Sequence, residues 1–312
     1  MRMIPQIQPW IDRQELAELT KVIKSTFITE NKATELFEKK IKKLTKSNNV
    51  VLTSSGSTAL HTALLALGIN KSHEVLIPNF NYIASVNSVL MCSATPHLID
   101  IEEKTLGIDV KKLDNYLKKN TYQSKKGCIN IKTKKIIKSC IALHTYGYPC
   151  DIISLKKILK KRKIVLIEDS AEAVGSFFNK KHLGTFGYAG IFSFNGNKTI
   201  TSGGGGAIIS NNEKFIKRCK HLSTTAKGKH KYLFFHDTMG YNYRMPNINA
   251  ALGYAQILKL NKIINAKRKL NQRYLNAFKN NKYIKIYLDR KNSNSNNWLN
   301  IGILNHKYSK FR

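Results

Sequence analysis

Two short segments put reactive side chains where a ligand could meet them. In residues 165–175 (VLIEDSAEAVG), Glu168 and Asp169 follow directly on an apolar run. A carboxylate in that position is desolvated unless it is paired. Capping a following helix is the other use for such an aspartate. In residues 192–206 (FSFNGNKTITSGGGG), Lys198 lies between Ser193 and a run of glycines, which let backbone come close to a ligand. A lysine and an aspartate brought to neighbouring strand ends form a Schiff-base arrangement. The lysine holds a pyridine cofactor covalently, and the aspartate keeps the ring nitrogen protonated.

Two further segments fit the same chemistry. Residues 53–60 (TSSGSTAL) place Ser57 and Thr58 at a helix start, where free N–H groups and the helix dipole attract an anion such as a phosphate. An ordinary Ser/Thr cap is the alternative. Residues 78–82 (PNFNY) put Phe80 and Tyr82 after a short apolar run. An aromatic there can cover a flat ring or simply pack into the core.

These residues need a frame, and the hydrophobic pattern predicts one. Helices are expected over 34–44, 58–67, 83–91, 153–161 and, as one long element, 248–278. Strands are expected over 50–53, 75–77, 96–100, 136–143, 164–167, 190–194, 207–210, 283–288 and 298–304. Strands separated by helices imply parallel pairing with right-handed crossovers. Unbroken apolar runs such as Val165-Leu166-Ile167 are those of a sheet covered on both faces. The fold class is therefore α/β, with a large, mostly parallel sheet flanked by helices. Ligands in such sheets bind beyond the carboxyl ends of the strands, where Asp169 and Lys198 fall.

Composition excludes several other classes. The 312 residues are 42% hydrophobic and 9% aromatic, enough for a substantial core. No apolar run reaches the roughly 18 residues of a membrane-spanning helix, and the first residues lack a signal-peptide core. A cytoplasmic protein without membrane partners is expected. The five cysteines, Cys92, Cys128, Cys140, Cys150 and Cys219, form no CxxC pair and show no metal-ligand spacing with a histidine, so reduced thiols and no metal are expected. The net charge of +34 is spread along the chain. With no basic arm and no basic stretch interleaved with aromatics, it reads as a solvated surface rather than a nucleic-acid site. It still favours anionic ligands.

Together the segments resemble the DegT/DnrJ/StrS family of pyridoxal-5'-phosphate-dependent sugar aminotransferases, over residues 4–304. The resemblance rests on residues 54–60 (SSGSTAL), 144–149 (HTYGYP), 167–173 (IEDSAEA), 184–187 (GTFG), 192–206 and 240–253 (GYNYRMPNINAALG). It implies the aspartate-aminotransferase-like fold, called PLP fold type I. Residues 1–245 would form the large cofactor domain, with 1–30 at the active-site entrance. Residues 246–312 would form a small α/β domain, shortened at its C-terminus relative to the family. Lys198 matches the lysine that carries pyridoxal 5'-phosphate (PLP), and Asp169 the partner of the ring nitrogen. Glu172 matches a contact to the ring hydroxyl, and Tyr82 the stacking aromatic. Ser57, Thr58 and Ser193 match phosphate contacts. Asn242 matches a residue that reaches the phosphate of the neighbouring subunit, which implies a homodimer with shared sites. Arg244, close by, is either part of this site or a structural ion pair.

Residues 221–227 (HLSTTAK) and His236-Asp237 are most similar to the subgroup that acts on nucleotide-linked N-acetylated 4-keto-6-deoxy sugars. Perosamine-type synthases are similar over 195–206. The expected reaction transfers an amino group from glutamate to C4 of such a sugar, derived from UDP-GlcNAc, for surface glycan synthesis. A PLP-binding protein without turnover is the alternative if the small domain is incomplete. The family's dehydratases carry histidine in place of the lysine, which Lys198 argues against.

Overall fold

Alternating apolar residues in single strands serve different cores, so the central sheet must be covered twice. Val50 and Leu52 belong to one buried cluster and Val51 to another. Val75 and Ile77 likewise separate from Leu76. In the computed structural model, which describes residues 5–228, 230 and 232–307, the chain opens with α1 (Arg13–Ser25), α2 (Lys32–Thr45), β1 (Asn49–Thr53) and α3 (Gly56–Ala66). It continues through β2 (His73–Pro78), α4 (Ile83–Met91), β3 (Thr95–Ile99) and α5 (Val110–Asn120). A hairpin, β4 (Thr121–Ser124) and β5 (Gly127–Asn130), leads to β6 (Ile136–Leu143), α6 (Ile152–Lys161) and β7 (Val165–Asp169). Next come β8 (Phe177–Phe178), β9 (Lys181–His182), β10 (Ala189–Ser193), β11 (Gly206–Ser210) and α7 (Glu213–Ser223). The last elements are α8 (Asn247–Leu258), α9 (Leu260–Ala277), β12 (Ile284–Ile286), β13 (Ser293–Asn294) and β14 (Gly302–Leu304).

The sheet order is β1-β11-β10-β7-β6-β2-β3, with β5 and β4 added beside β6. The pairs β10·β7, β7·β6, β6·β2 and β2·β3 are parallel, as the α/β pattern predicts. β11 runs antiparallel to both β10 and β1. The reason lies in the connection: β10 and β11 are joined by the glycine-rich segment that carries Lys198, not by a helix, and a crossover is what parallel strands need. One face is covered by α2 and α8, whose Phe37, Ile41, Ala250 and Ala251 share a cluster with Ala207 and Ile209. The other is covered in part by α3 and α7 through Leu60, Leu64, Phe215 and Ile216. α5 and α6 cover the far half through Leu113, Leu117, Leu155 and Leu159. The fold class expected from the sequence is thus the one observed.

Three details differ. The expected helix over 248–278 is two helices, broken at Lys259 with φ −105° and ψ 12°. Lys259 is buried and its Nζ pairs with Glu15 (2.6 Å) and Asp12 (2.9 Å) of the α1 entry, an interaction that no helical periodicity encodes. The strand expected over 298–304 shrinks to β14, because residues 295–298 are buried against the loops that follow β6, β7 and β10 instead of pairing as a strand. Helices α1, α5 and α7 are not among the helices the apolar pattern predicts; each buries only a few apolar side chains among many charged and polar ones.

The described part of the N-terminal segment is tied to α8. Gln256 Nε2 donates to the Trp10 carbonyl and to Glu15 Oε1, and Asn247 Nδ2 donates to the Phe27 carbonyl. Residues 1–4 of the expected entrance segment and 308–312 of the expected small domain lie outside the described residues. β12 and β14 form a separate antiparallel pair, and β13 joins the β8–β9 hairpin. The five cysteines are free and buried, and no described helix is long and apolar enough to cross a membrane.

Phe37 is fully buried, with its ring centroid 4.9 Å from that of Phe194, the residue that opens the Lys198 loop. Phe37→Ala is expected to cost about 3–5 kcal/mol. Equilibrium denaturation should show a lower midpoint with an unchanged slope.

Candidate active site

Neighbouring residues of a strand point to opposite faces, so Glu168 and Asp169 at the end of β7 cannot share an environment. Glu168 turns into the protein and is completely buried. Its Oε2 meets His144 Nε2 at 2.9 Å and accepts the Gly184 N–H at 2.8 Å, and its Oε1 accepts the Gly187 N–H at 2.5 Å. Three segments singled out in the sequence, HTYGYP, IEDSAEA and GTFG, therefore converge on one structural carboxylate.

Asp169 turns the other way. Its Oδ1 accepts the Ala171 N–H and its Oδ2 the Ser85 hydroxyl, both at 3.1 Å. The chain makes a turn after it rather than a helix, so the capping role is not the one realised. Burial pushes the Asp169 carboxyl above its ordinary value, opposed by the Ala171 N–H, the charge of Lys198 and the Ser85 hydroxyl.

Lys198 reaches the same end of the sheet from the β10–β11 loop. Its Nζ lies 3.7 Å from Glu172 Oε1 and 4.2 Å from the centre of the Trp298 ring. Glu172 Oε2 also accepts the Tyr146 N–H at 2.6 Å. Burial pushes Glu172 up, with Lys198 opposing. Tyr146 adopts φ +54° and ψ 21°, left-handed backbone of the kind that gathers at functional sites. Its ring stands between those of Phe80 (6.1 Å) and Trp298 (6.2 Å).

The start of α3 supplies an anion site. Ser55 is the cap: its Oγ accepts the Thr58 N–H, and Thr58 Oγ1 accepts the Ser55 N–H. The capping reading of this segment therefore holds, and Thr58 spends its hydroxyl on it. Helix geometry leaves the Gly56 and Ser57 N–H groups without an intrahelical partner. Ser57 is exposed beside them. A Cβ at Gly56 would stand 2.8 Å from Ser193 Cβ, so only glycine lets the α3 terminus sit against Ser193 at the end of β10. The segment carrying Asn242 runs alongside: Ser54 N–H donates to the Tyr243 carbonyl, and Thr53 bridges Arg244. Asn242 is exposed, and Arg244 Nη1 lies 3.5 Å from Glu30 Oε2, which fits the ion-pair reading. Tyr82 occupies the N-cap position of α4 without a side-chain capping bond, and is 69% exposed.

A family model for DegT/DnrJ/EryC1/StrS aminotransferases matches residues 9–311. The chain belongs to this family. A GDP-perosamine synthase of Vibrio cholerae, similar to this DegT-family chain, is 39% identical over 275 residues, or 87% of this chain and 70% of the relative. Among solved structures, the aminotransferase TlmJ from Streptoalloteichus hindustanus is similar in fold, with a TM-score of 0.89 at 21% identity, covering 99% of this chain and 81% of TlmJ. An Escherichia coli GDP-4-keto-6-deoxy-D-mannose-3-dehydratase with bound hydrated PLP has a TM-score of 0.86 at 23% identity, covering 99% and 80%.

Sequence reasoning missed four residues that gather at this candidate site: Ser85, Tyr146, Asn296 and Trp298. Ser85 is one of two serines in the largely apolar helix α4, and Trp298 follows a polar loop; neither carries a local signal. Asn296 is wholly buried, and its Nδ2 donates to the Glu172 and Val174 carbonyls and to Thr199 Oγ1.

Because burial raises the Asp169 carboxyl, folding favours its protonated form. This contribution to stability is full below the ordinary value of 3.8 and is lost as pH rises through the raised folded value. Asp169→Asn is therefore expected to raise the Tm of the ligand-free protein at neutral pH, with the gain shrinking toward acid pH. Thermal melts across pH check this; an equal shift at every pH would remove Asp169 titration as the cause.

Proposed function

We propose that this protein is a PLP-dependent aminotransferase acting on C4 of a nucleotide-linked 4-keto-6-deoxy sugar, with glutamate as amino donor. The observation that carries it is the gathering of Lys198, 3.7 Å from Glu172 Oε1, and the buried Asp169 at the carboxyl end of the parallel strands, where the start of α3 sits against Ser193. The residues fit the cofactor. Asp169 is a buried carboxyl whose only described hydrogen-bond partners are one hydroxyl and one N–H, so a protonated ring nitrogen would supply the charge it lacks. The Gly56 and Ser57 N–H groups, with the Ser57 and Ser193 hydroxyls, suit a phosphate. Thr58 fixes that first turn through its bonds to Ser55.

PLP, when bound, supplies the carbonyl carbon that takes up the amine and the ring that accepts electrons. The chain's own residues do the rest. Lys198 holds the cofactor, and in its free form moves the proton to and from C4 of the sugar. Asp169 keeps the ring nitrogen charged, Glu172 receives the ring hydroxyl, and Tyr82 covers a ring face. Asn242 reaches the phosphate of a neighbouring subunit in a homodimer. The exposed apolar side chains Leu233, Phe234 and Met239 in the preceding loop are consistent with that contact.

For the nucleotide, the GDP-perosamine synthase relative favours a GDP-linked sugar. The UDP-GlcNAc-derived substrate suggested by residues 221–227 is the second reading. There, His221 Nε2 pairs with Asp237 Oδ1 at 2.7 Å, joining the two segments that carry that similarity.

Protein incubated with PLP is expected to show a visible absorbance band that Lys198→Ala abolishes, together with at least a thousandfold loss of amination, on the order of 4 kcal/mol of barrier. A panel of GDP-, UDP- and dTDP-linked 4-keto sugars with glutamate assigns the substrate. A folded protein that binds no PLP would overturn the reading.

A further inference from the structure

Lys198 has a neighbour that none of the roles above uses. Nζ lies between the Glu172 carboxylate at 3.7 Å and the face of the Trp298 ring at 4.2 Å. The lysine side chain is only 14% exposed and Trp298 7%, so this is a desolvated cation over an aromatic face, the setting in which such attraction is strongest. The ring is held in place. Trp298 Nε1 donates to the Asn197 carbonyl at 2.7 Å, and Asn197 is the residue next to Lys198. The Trp298 N–H donates to Asn296 Oδ1 at 2.9 Å. Asn296 in turn bonds the Glu172 carbonyl at 2.8 Å and Thr199 Oγ1 at 3.0 Å. The indole is therefore tied to the backbone carbonyl of Asn197 and, through Asn296, to the Thr199 hydroxyl and the segment bearing Glu172.

We propose that Trp298 is a positioning residue that docks the Lys198 ammonium on its ring face whenever the lysine is not bonded to the cofactor. The inference rests on the reading of Lys198 as the cofactor lysine. In each turnover that lysine is freed and must return to the same carbon. With a carboxylate on one side alone, the ammonium would settle toward Glu172. The indole face balances that pull while the nitrogen is charged; once the ammonium gives up a proton the attraction falls away, and the neutral amine is free to meet the cofactor.

The test separates the contact from the cofactor chemistry. The chain has two tryptophans, so Trp10→Phe leaves Trp298 as the sole indole. In that background and without PLP, Lys198→Ala is expected to shift the intensity or wavelength of Trp298 emission, because it removes a cation from the ring. Borohydride-stable attachment of PLP to Lys198, followed by mass spectrometry, then reads the lysine's pose. Trp298→Leu should slow attachment about tenfold. Trp298→Phe, which keeps an aromatic face, should stay within about threefold. Thermal melts confirm that both variants are folded. Unchanged emission in Lys198→Ala, or equal slowing in the Phe and Leu variants, overturns the proposal. If the unsubstituted chain attaches no PLP, the cofactor reading fails and the docking role fails with it, while an emission shift would still establish the amine on the ring.

Discussion

Two adjacent carboxylates end strand β7 of the central sheet, both buried away from water. Unpaired burial of either charge costs several kcal/mol, so the surrounding architecture is arranged around their neutralisation. Strand alternation sends them to opposite sides. Glu168 is met by His144 from the end of β6 and by two N–H groups of the 184–187 turn, which locks β6, β7 and that turn together. Asp169 is left with a hydroxyl and one N–H, less than a carboxylate requires, and stays open to a cationic partner. The rigidity around the first carboxylate allows the second to remain incompletely satisfied.

The active end of the sheet is closed by chain that arrives late. Residues 295–298 thread beneath the 144–149 turn, where Gly147 at φ +89° would place a Cβ only 2.2 Å from Asn296 Oδ1. No other residue type admits Asn296 there. In return the amide side chain links the Glu172 segment to Thr199, and Asn297 Nδ2 donates to the Tyr148 hydroxyl. The C-terminal part of the chain thus contributes to the cofactor-side geometry as well as to stability, although every site residue marked in the sequence precedes residue 245.

Much of this was legible in the sequence because it is local. Short apolar runs bounded by turn residues are what strands covered on both faces produce, and helices between them serve as crossovers, so the α/β class and the strand-end location of Asp169 and Lys198 follow from residue order. The start of α3, with its hydroxyls and Gly56, is equally local. The Lys198 segment is singled out among so many lysines by the glycines beside it.

What residue order could not supply is any fact that depends on two distant segments meeting. The break at Lys259 is set by an ion pair with Asp12 and Glu15, hundreds of residues earlier. The reversal of β11 follows from the glycine-rich loop, rather than a helix, that joins it to β10. The division of labour between Glu168 and Asp169 depends on which face of β7 meets His144 and which meets Ser85. The aromatic face opposite Lys198 depends on how residues 295–298 turn inward. Local sequence determined the elements and the chemistry carried at their ends; the tertiary structure decided which charges are satisfied and which remain available, because desolvation and pairing are properties of the surroundings and not of the residue.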